Sequence, residues 1–169
     1  EGLTLKNITL SFKSANKEIK SEIGEMVFTS DGISGPLVLS LSGEVIDLFC
    51  QKKDVYVTIN LKPALDAEQL HSRLLREFKS SPKKEIKNIM KELLPLKLAG
   101  LSLRLMQIDP HKKANQISSQ ERSKIIEFLS RWRLNISGAG PIEDAMVTRG
   151  GISLKEINPR TMESRIIKG

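Results

Sequence analysis

Two short loops in this 169-residue chain carry residue types and spacings that invite chemistry. The first is Thr29-Ser30-Asp31-Gly32-Ile33-Ser34-Gly35-Pro36. Its glycines and proline impose an unusual backbone path, and the hydroxyls of Thr29 and Ser34 stand beside it. If Gly35-Pro36 enters a helix, the first-turn N–H groups are left free, which is the chemistry of an anion site. The second loop is Val147-Thr148-Arg149-Gly150-Gly151-Ile152. Adjacent glycines permit positive φ and close approach by another backbone or a flat ligand. Arg149 can hold a carboxylate or phosphate. The candidate site residues are therefore Thr29, Gly32, Ser34, Gly35, Thr148, Arg149, Gly150 and Gly151. Composition alone leaves each loop open between an ordinary turn and a functional one.

Other familiar chemistries are missing from the residues. Neither G-x-G-x-x-G nor G-x-x-x-x-G-K-[ST] occurs, so there is no dinucleotide fingerprint and no P-loop. His71 and His111 lie in separate segments with no cysteine nearby, which argues against a metal site and for solvated histidines. A single cysteine, Cys50, excludes an internal disulfide framework; after the apolar run Val45-Ile46-Asp47-Leu48-Phe49 it is expected to be a buried or inert thiol.

The elements that would position the two loops change character along the chain. In residues 1–61, Ile8, Leu10 and Phe12 alternate with Thr9 and Ser11 as a half-buried strand requires, with a turn at 14–17. Ile23 to Thr29 reads as a second strand, and Val55, Val57, Ile59 and Leu61 as a third. Pro36 to Leu41 fits a buried strand or a helix start; proline at the first helical position, behind Ser34 or Gly35, favours the helix. Residues 62–134 are helical. Asp66 caps a helix with Leu70, Leu74, Leu75 and Phe78 at helical spacing, Ser81-Pro82 opens another carrying Ile86, Ile89, Met90 and Leu93, and Pro95 breaks it. Leu98, Leu101 and Leu105 mark a third, and Ser118 to Glu121 is a capping box before Ile125, Phe128, Leu129 and Trp132. Residues 135–169 return to turns and short strands, at Ala145–Thr148 and Ile152–Leu154, which are expected to pair with the first strands because isolated hairpins are marginal. The fold class expected is α+β: a small β-barrel-like lobe from residues 1–61 and 135–169, with an inserted four-helix lobe from 62–134.

Charge is unevenly spread. Between Lys62 and Arg133 there are 16 lysines and arginines against 8 acids, while the rest of the chain is nearly neutral within a net charge of +7. A basic face can release counterions from phosphate, so a module docking on nucleic acid or an acidic partner is the rival reading. Against it, aromatics are 4% of the residues, few for base-stacking platforms. The longest uncharged stretch, Gly32 to Gly43, is too short for the roughly 18–20 apolar residues of a spanning helix. No targeting segment is recognisable, and a cytoplasmic location is expected.

Longer motifs single out one family. Gly24-Glu25-Met26-Val27-Phe28-Thr29 followed by Gly32-Ile33-Ser34-Gly35-Pro36 resembles the G-E-M-L-F-T-H-x-G-[IL]-S-G-P signature of the BaiN/RdsA-type NAD(P)/FAD-dependent oxidoreductases. Ala145 to Ile152 is similar to that family's A-x-V-T-x-G-G-V segment, and Lys155 to Ser164 to its K-E-I-N-P-K-T-M-E-S stretch. The resemblance covers the whole chain in order. It implies that the chain is a fragment: the β-plus-helical insert of a flavoprotein whose FAD-binding domain lies outside it. It further implies FAD in the parent, NAD(P)H as reductant, a small organic acceptor, and an insert that covers the flavin through the two loops without catalysing or holding cofactor alone. Ser30 and Asp31 stand where the family has His and often an aromatic, so no general acid or base is assigned.

Overall fold

The structure, a computed structural model, describes residues 2–15, 17–50, 54–146 and 149–167. Within these, residues 1–139 cluster into one compact unit and residues 140–169 into another. The fold of the first unit is α+β, as the residue pattern implied: a curled antiparallel sheet with helices against it.

Strand β1 (Leu3–Ser14) is the spine of that sheet. Its first half pairs with β3 (Gly24–Phe28), and its second half with β2 (Lys17–Lys20) and β5 (Val55–Asn60). Strand β4 (Ile33–Ser34) extends β3, and β6 (Trp132–Ile136) extends β5, giving the order β4-β3-β1-β5-β6. The curl starts from one residue too many. Leu5 and Ile8 both point inward although three positions apart, which strict alternation forbids. The register shifts between them, and Asn7 takes a left-handed φ of 54°. This bulge restores the phase, so Leu5, Ile8, Leu10 and Phe12 all reach the core while the strand bends.

Helix α1 (Pro36–Cys50) follows β4, with proline at its first position as anticipated. It buries Leu37, Val45 and Leu48, and leaves Cys50 exposed at its end, so of the buried or inert thiol expected there the buried alternative does not hold. Four helices follow β5: α2 (Ala67–Ser80), α3 (Ile86–Leu93), α4 (Leu96–Met106) and α5 (Ser119–Arg131). Asp66 accepts from the Gln69 N–H and Ser118 from the Glu121 N–H, each in a reciprocal capping box.

Three helical details depart from expectation. Helix α3 begins at Ile86, not at Ser81-Pro82, because Glu85 is extended and bridges Lys113, and the Ile86 N–H donates to the Lys112 carbonyl. Helix α4 turns Leu98, Ala99, Ser102, Leu103 and Met106 inward and leaves Leu101 and Leu105 exposed. Both faces carry leucines; the inward one includes Ala99 and Ser102, whose small size permits close packing, and Ser102 Oγ donates to the Ala99 carbonyl. Trp132 does not end α5 but opens β6, which pairs with β5. One apolar cluster joins the strands' inner face to α1–α5, from Leu5, Ile8 and Met26 to Ile89, Leu98, Ile125 and Leu129.

The unit 140–169 has little regular structure. It holds 3₁₀ turns at Ile142–Asp144 and Leu154–Glu156 and one bridge, Ile157 to Ser164. The strand expected at Ile152–Leu154 is absent, with Leu154 opening the second 3₁₀ turn. That expected at Ala145–Thr148 falls partly on Val147 and Thr148, which lie outside the described residues.

Candidate functional site

The first loop is the β3–β4 hairpin and the entry to α1, so Thr29, Gly32, Ser34 and Gly35 come together at one lip of the sheet. Val27 pairs with Ser34 and Phe28 with Ile33. The Thr29 N–H donates to the Gly32 carbonyl at 2.9 Å, and the Gly32 N–H returns to Thr29 Oγ1 at 3.0 Å. Ser30 Oγ donates to Asp31 Oδ2 at 2.8 Å. Thr29's hydroxyl oxygen thus closes the turn as an acceptor.

Two glycines here answer to different demands. Gly35 has a φ of +98°, and a Cβ on it would stand 3.2 Å from Val27 N and 3.3 Å from Met26 Cα. Both the backbone angle and the strand beneath require glycine. Gly32 has ordinary φ and open space where a Cβ would point, so nothing inside the described chain requires glycine there. A third, Gly24, lies close against α1: a Cβ on it would meet Leu37 Cδ2 at 2.6 Å, so that side chain would have to shift. Beyond Gly35, the Leu39 N–H already donates to the Gly35 carbonyl, and the first turn of α1 carries no acidic residue.

Phe28 of the motif anchors the hairpin to aromatic residues that the motif does not contain. Phe28 packs against Trp132 with centroids 5.5 Å apart, and Trp132 stacks on Phe128 at 4.9 Å. β3, β6 and α5 are thereby locked together directly behind the loop. No spacing rule links Phe28 to Trp132, more than a hundred residues away.

The second loop belongs to the other unit. Gly150 and Gly151 have φ of +122° and +98°, the conformation that paired glycines permit. Arg149 beside them is exposed and engaged in an interaction within the molecule. Thr148 lies outside the described residues.

Several other titratable groups tie elements of the first unit together. His71 accepts from Arg122 Nε at 3.2 Å, tying α2 to α5. His111 and Lys87 both reach Glu85, at 3.0 and 2.9 Å, and their hydrogen bonds, Lys87's foremost, hold its carboxyl below the ordinary range. Lys112 holds Glu121 at 2.8 Å and, more than the Ser118 cap, lowers its carboxyl against the opposing effect of burial. Among the described residues, no group of three or more His, Cys, Asp or Glu is placed to hold a metal ion, and no helix is long and apolar enough to cross a membrane.

A curled antiparallel sheet with its core closed by helices, and a glycine-built hairpin at its lip, defines the class. The chain belongs to the HI0933-like family: residues 1–147 match the model of the HI0933-like protein barrel and H2TH domain. It is 32% identical over 144 residues to a ribosomal RNA dihydrouridine synthase of Escherichia coli, covering 85% of this chain and 34% of that protein. A protein of the same name from Haemophilus influenzae is 33% identical over 150 residues, with 89% and 35% covered. A 3-dehydro-bile acid delta(4,6)-reductase of Clostridium scindens is 24% identical over 151 residues, with 89% and 37% covered. The chain spans about a third of the length of these curated relatives.

Proposed function

We propose that this chain is the barrel-and-helix insert of a flavin-dependent reductase, forming one wall of the flavin and acceptor site without catalysing alone. The observation that carries the reading is Gly32. It sits on an exposed, hydrogen-bonded and aromatically anchored hairpin, yet nothing within the described chain accounts for a glycine there. A flat ring or a facing domain at that surface would account for it. Seven large apolar side chains in residues 140–169, from Ile142 to Ile167, are at least 68% exposed, as they would be if their burial partner were a domain beyond this chain.

The residues present suit a wall and not a whole site. No dinucleotide fingerprint is available, and two clefts of the first unit, on α2 and on the outer face of the sheet, are open rather than enclosed and mixed in their lining. Bound FAD would supply hydride transfer from NAD(P)H to the acceptor. The hairpin would set how closely ring and acceptor approach and keep water from one side, with Ser34 and Gly35 orienting the backbone. Ser30 has no useful basicity near neutral pH, so proton delivery falls to a group elsewhere.

The acceptor is either a small organic molecule or a uridine within RNA. The second is favoured by the names of the two relatives above 30% identity and by the +7 charge. The test is to purify the chain alone and within its complete reading frame. The complete protein is expected to be yellow, to consume NAD(P)H, and to lose turnover on Gly32→Val with its flavin content retained. Stoichiometric flavin and turnover in the 169-residue chain alone would refute the insert reading.

A further inference from the structure

The outer face of the sheet is a second surface. Along β5, Val55, Val57 and Ile59 enter the core, so Tyr56, Thr58 and Asn60 face away from it. Pairing sets Lys13 and Asn135 on either side of Tyr56, Ser11 and Arg133 on either side of Thr58, and Thr9 beside Asn60. The end of α5 forms one bank, giving an open cleft of about 630 Å³ in which Leu10 is the only aliphatic residue.

Its charges are Lys13, Lys20, Arg131 and Arg133 against Glu18 and Glu127. Glu18 is already engaged: Ser11 Oγ donates to it at 2.6 Å and Lys13 approaches to 3.1 Å, which bring its carboxyl down to about 2. Among the described residues, Arg131 and Arg133 have no carboxylate within ion-pair distance. Instead the Arg133 guanidinium lies 3.6 Å over the Tyr56 ring.

The basic track continues past the cleft. Asn60 Oδ1 accepts from the Lys62 N–H at 2.9 Å. Burial, and then the nearby charge of Arg73, push the Lys62 ammonium below its ordinary range. Arg73 and Arg76, together with Asp66 and Glu68, line a further open cleft on α2 of about 740 Å³. Among the described residues, Lys62, Arg73 and Arg76 likewise have no ion-pair partner. Cations without ion-pair partners, in excess over acids in the sheet-face cleft, suit a polyanion. A protein interface would carry an apolar centre, and a small-molecule pocket an enclosed apolar lining. A planar arginine–tyrosine pair amid hydroxyl and amide groups suits unpaired bases and ribose hydroxyls.

We propose that this face binds a single-stranded segment of RNA, its phosphates tracking Arg133, Arg131, Lys62 and Arg73 and one base stacking at the Arg133–Tyr56 pair. The proposal shares the identity of the polymer with the second acceptor reading above but requires no flavin, so the two fail separately. The test is fluorescence anisotropy of the 169-residue chain with a labelled single-stranded RNA of about 20 nucleotides, at several salt concentrations. Lys62→Gln/Arg131→Gln/Arg133→Gln is expected to weaken binding at least about tenfold and to flatten the slope of log Kd against log salt by about 2. The charge-matched control Lys83→Gln/Lys91→Gln/Lys113→Gln, on exposed lysines elsewhere, is expected to cost less than about threefold. Tyr56→Ala is expected to weaken binding about tenfold with the slope unchanged. Arg133→Lys, which keeps the charge and the fold but loses the planar stack, is expected to do the same more mildly. Equal losses in the two triple variants, no effect of Tyr56→Ala and Arg133→Lys, or no RNA binding by the parent chain would each overturn the proposal. Circular dichroism melts establish that every variant compared is folded.

Discussion

At the scale of single residues, the hairpin separates glycines that the chain needs from one that it does not. Gly35→Ala forces a side chain to φ +98° and against the β3 backbone, and is expected to cost about 2–3 kcal/mol of stability. Gly32→Ala meets neither obstacle and is expected to leave the thermal midpoint of the chain unchanged within about 1 °C. Parallel thermal melts check both, and a large loss at Gly32 would mean that the hairpin, not an outside body, requires that glycine. Glu121 allows a pH test. Its folded-state carboxyl lies below the ordinary 4.5, so its contribution is present above that value and is lost as pH falls through the lower, folded one. Between about pH 5 and pH 3, the Glu121→Gln variant is therefore expected to lose less of its thermal midpoint than the parent does.

At the scale of elements, local rules govern where backbone groups have local partners. Both capping boxes stand at Asp66 and Ser118, where residue types and spacing place them, because each closes within four residues. Asp66→Ala is expected to cost about 1 kcal/mol, measured by urea unfolding. The same rules miss the start of α3, where Lys113 and the Lys112 carbonyl, far along the chain, engage Glu85 and Ile86. They also misplace Trp132: an apolar residue at helical spacing reads as helix, but β5 offers it a strand partner and Phe28 and Phe128 offer it rings. Because Trp132 is half-buried between those rings, Trp132→Ala is expected to cost about 2–4 kcal/mol and to loosen the hairpin as well. Hydrogen exchange at the Ile33 and Ser34 amides would register that loosening as lost protection.

At the scale of the whole molecule, the continuous core of residues 1–139 and the scarcity of burial in residues 140–169 belong together. Truncation after Ala139 is expected to leave the cooperative unfolding transition nearly unchanged by circular dichroism, because no residue beyond it contributes to the buried cluster. A fall in midpoint of more than about 5 °C would show that the shorter unit depends on the rest.

The sequence by itself determined the α+β class, the main strands, the helix entered through Pro36, the Asp66 cap, the Ser118 capping box and the hairpin motif. Each depends on period, caps or glycine–proline placement within a few residues, and the family resemblance rests on the same local strings. Tertiary structure alone decided the bulge at Asn7 that curls the sheet, the exposure of Cys50, Leu101 and Leu105, and the aromatic anchor behind the hairpin. It also set the Arg133 guanidinium over the Tyr56 ring. Each of these joins residues distant in the chain, and their meeting depends on strand register and helix phase rather than on local spacing.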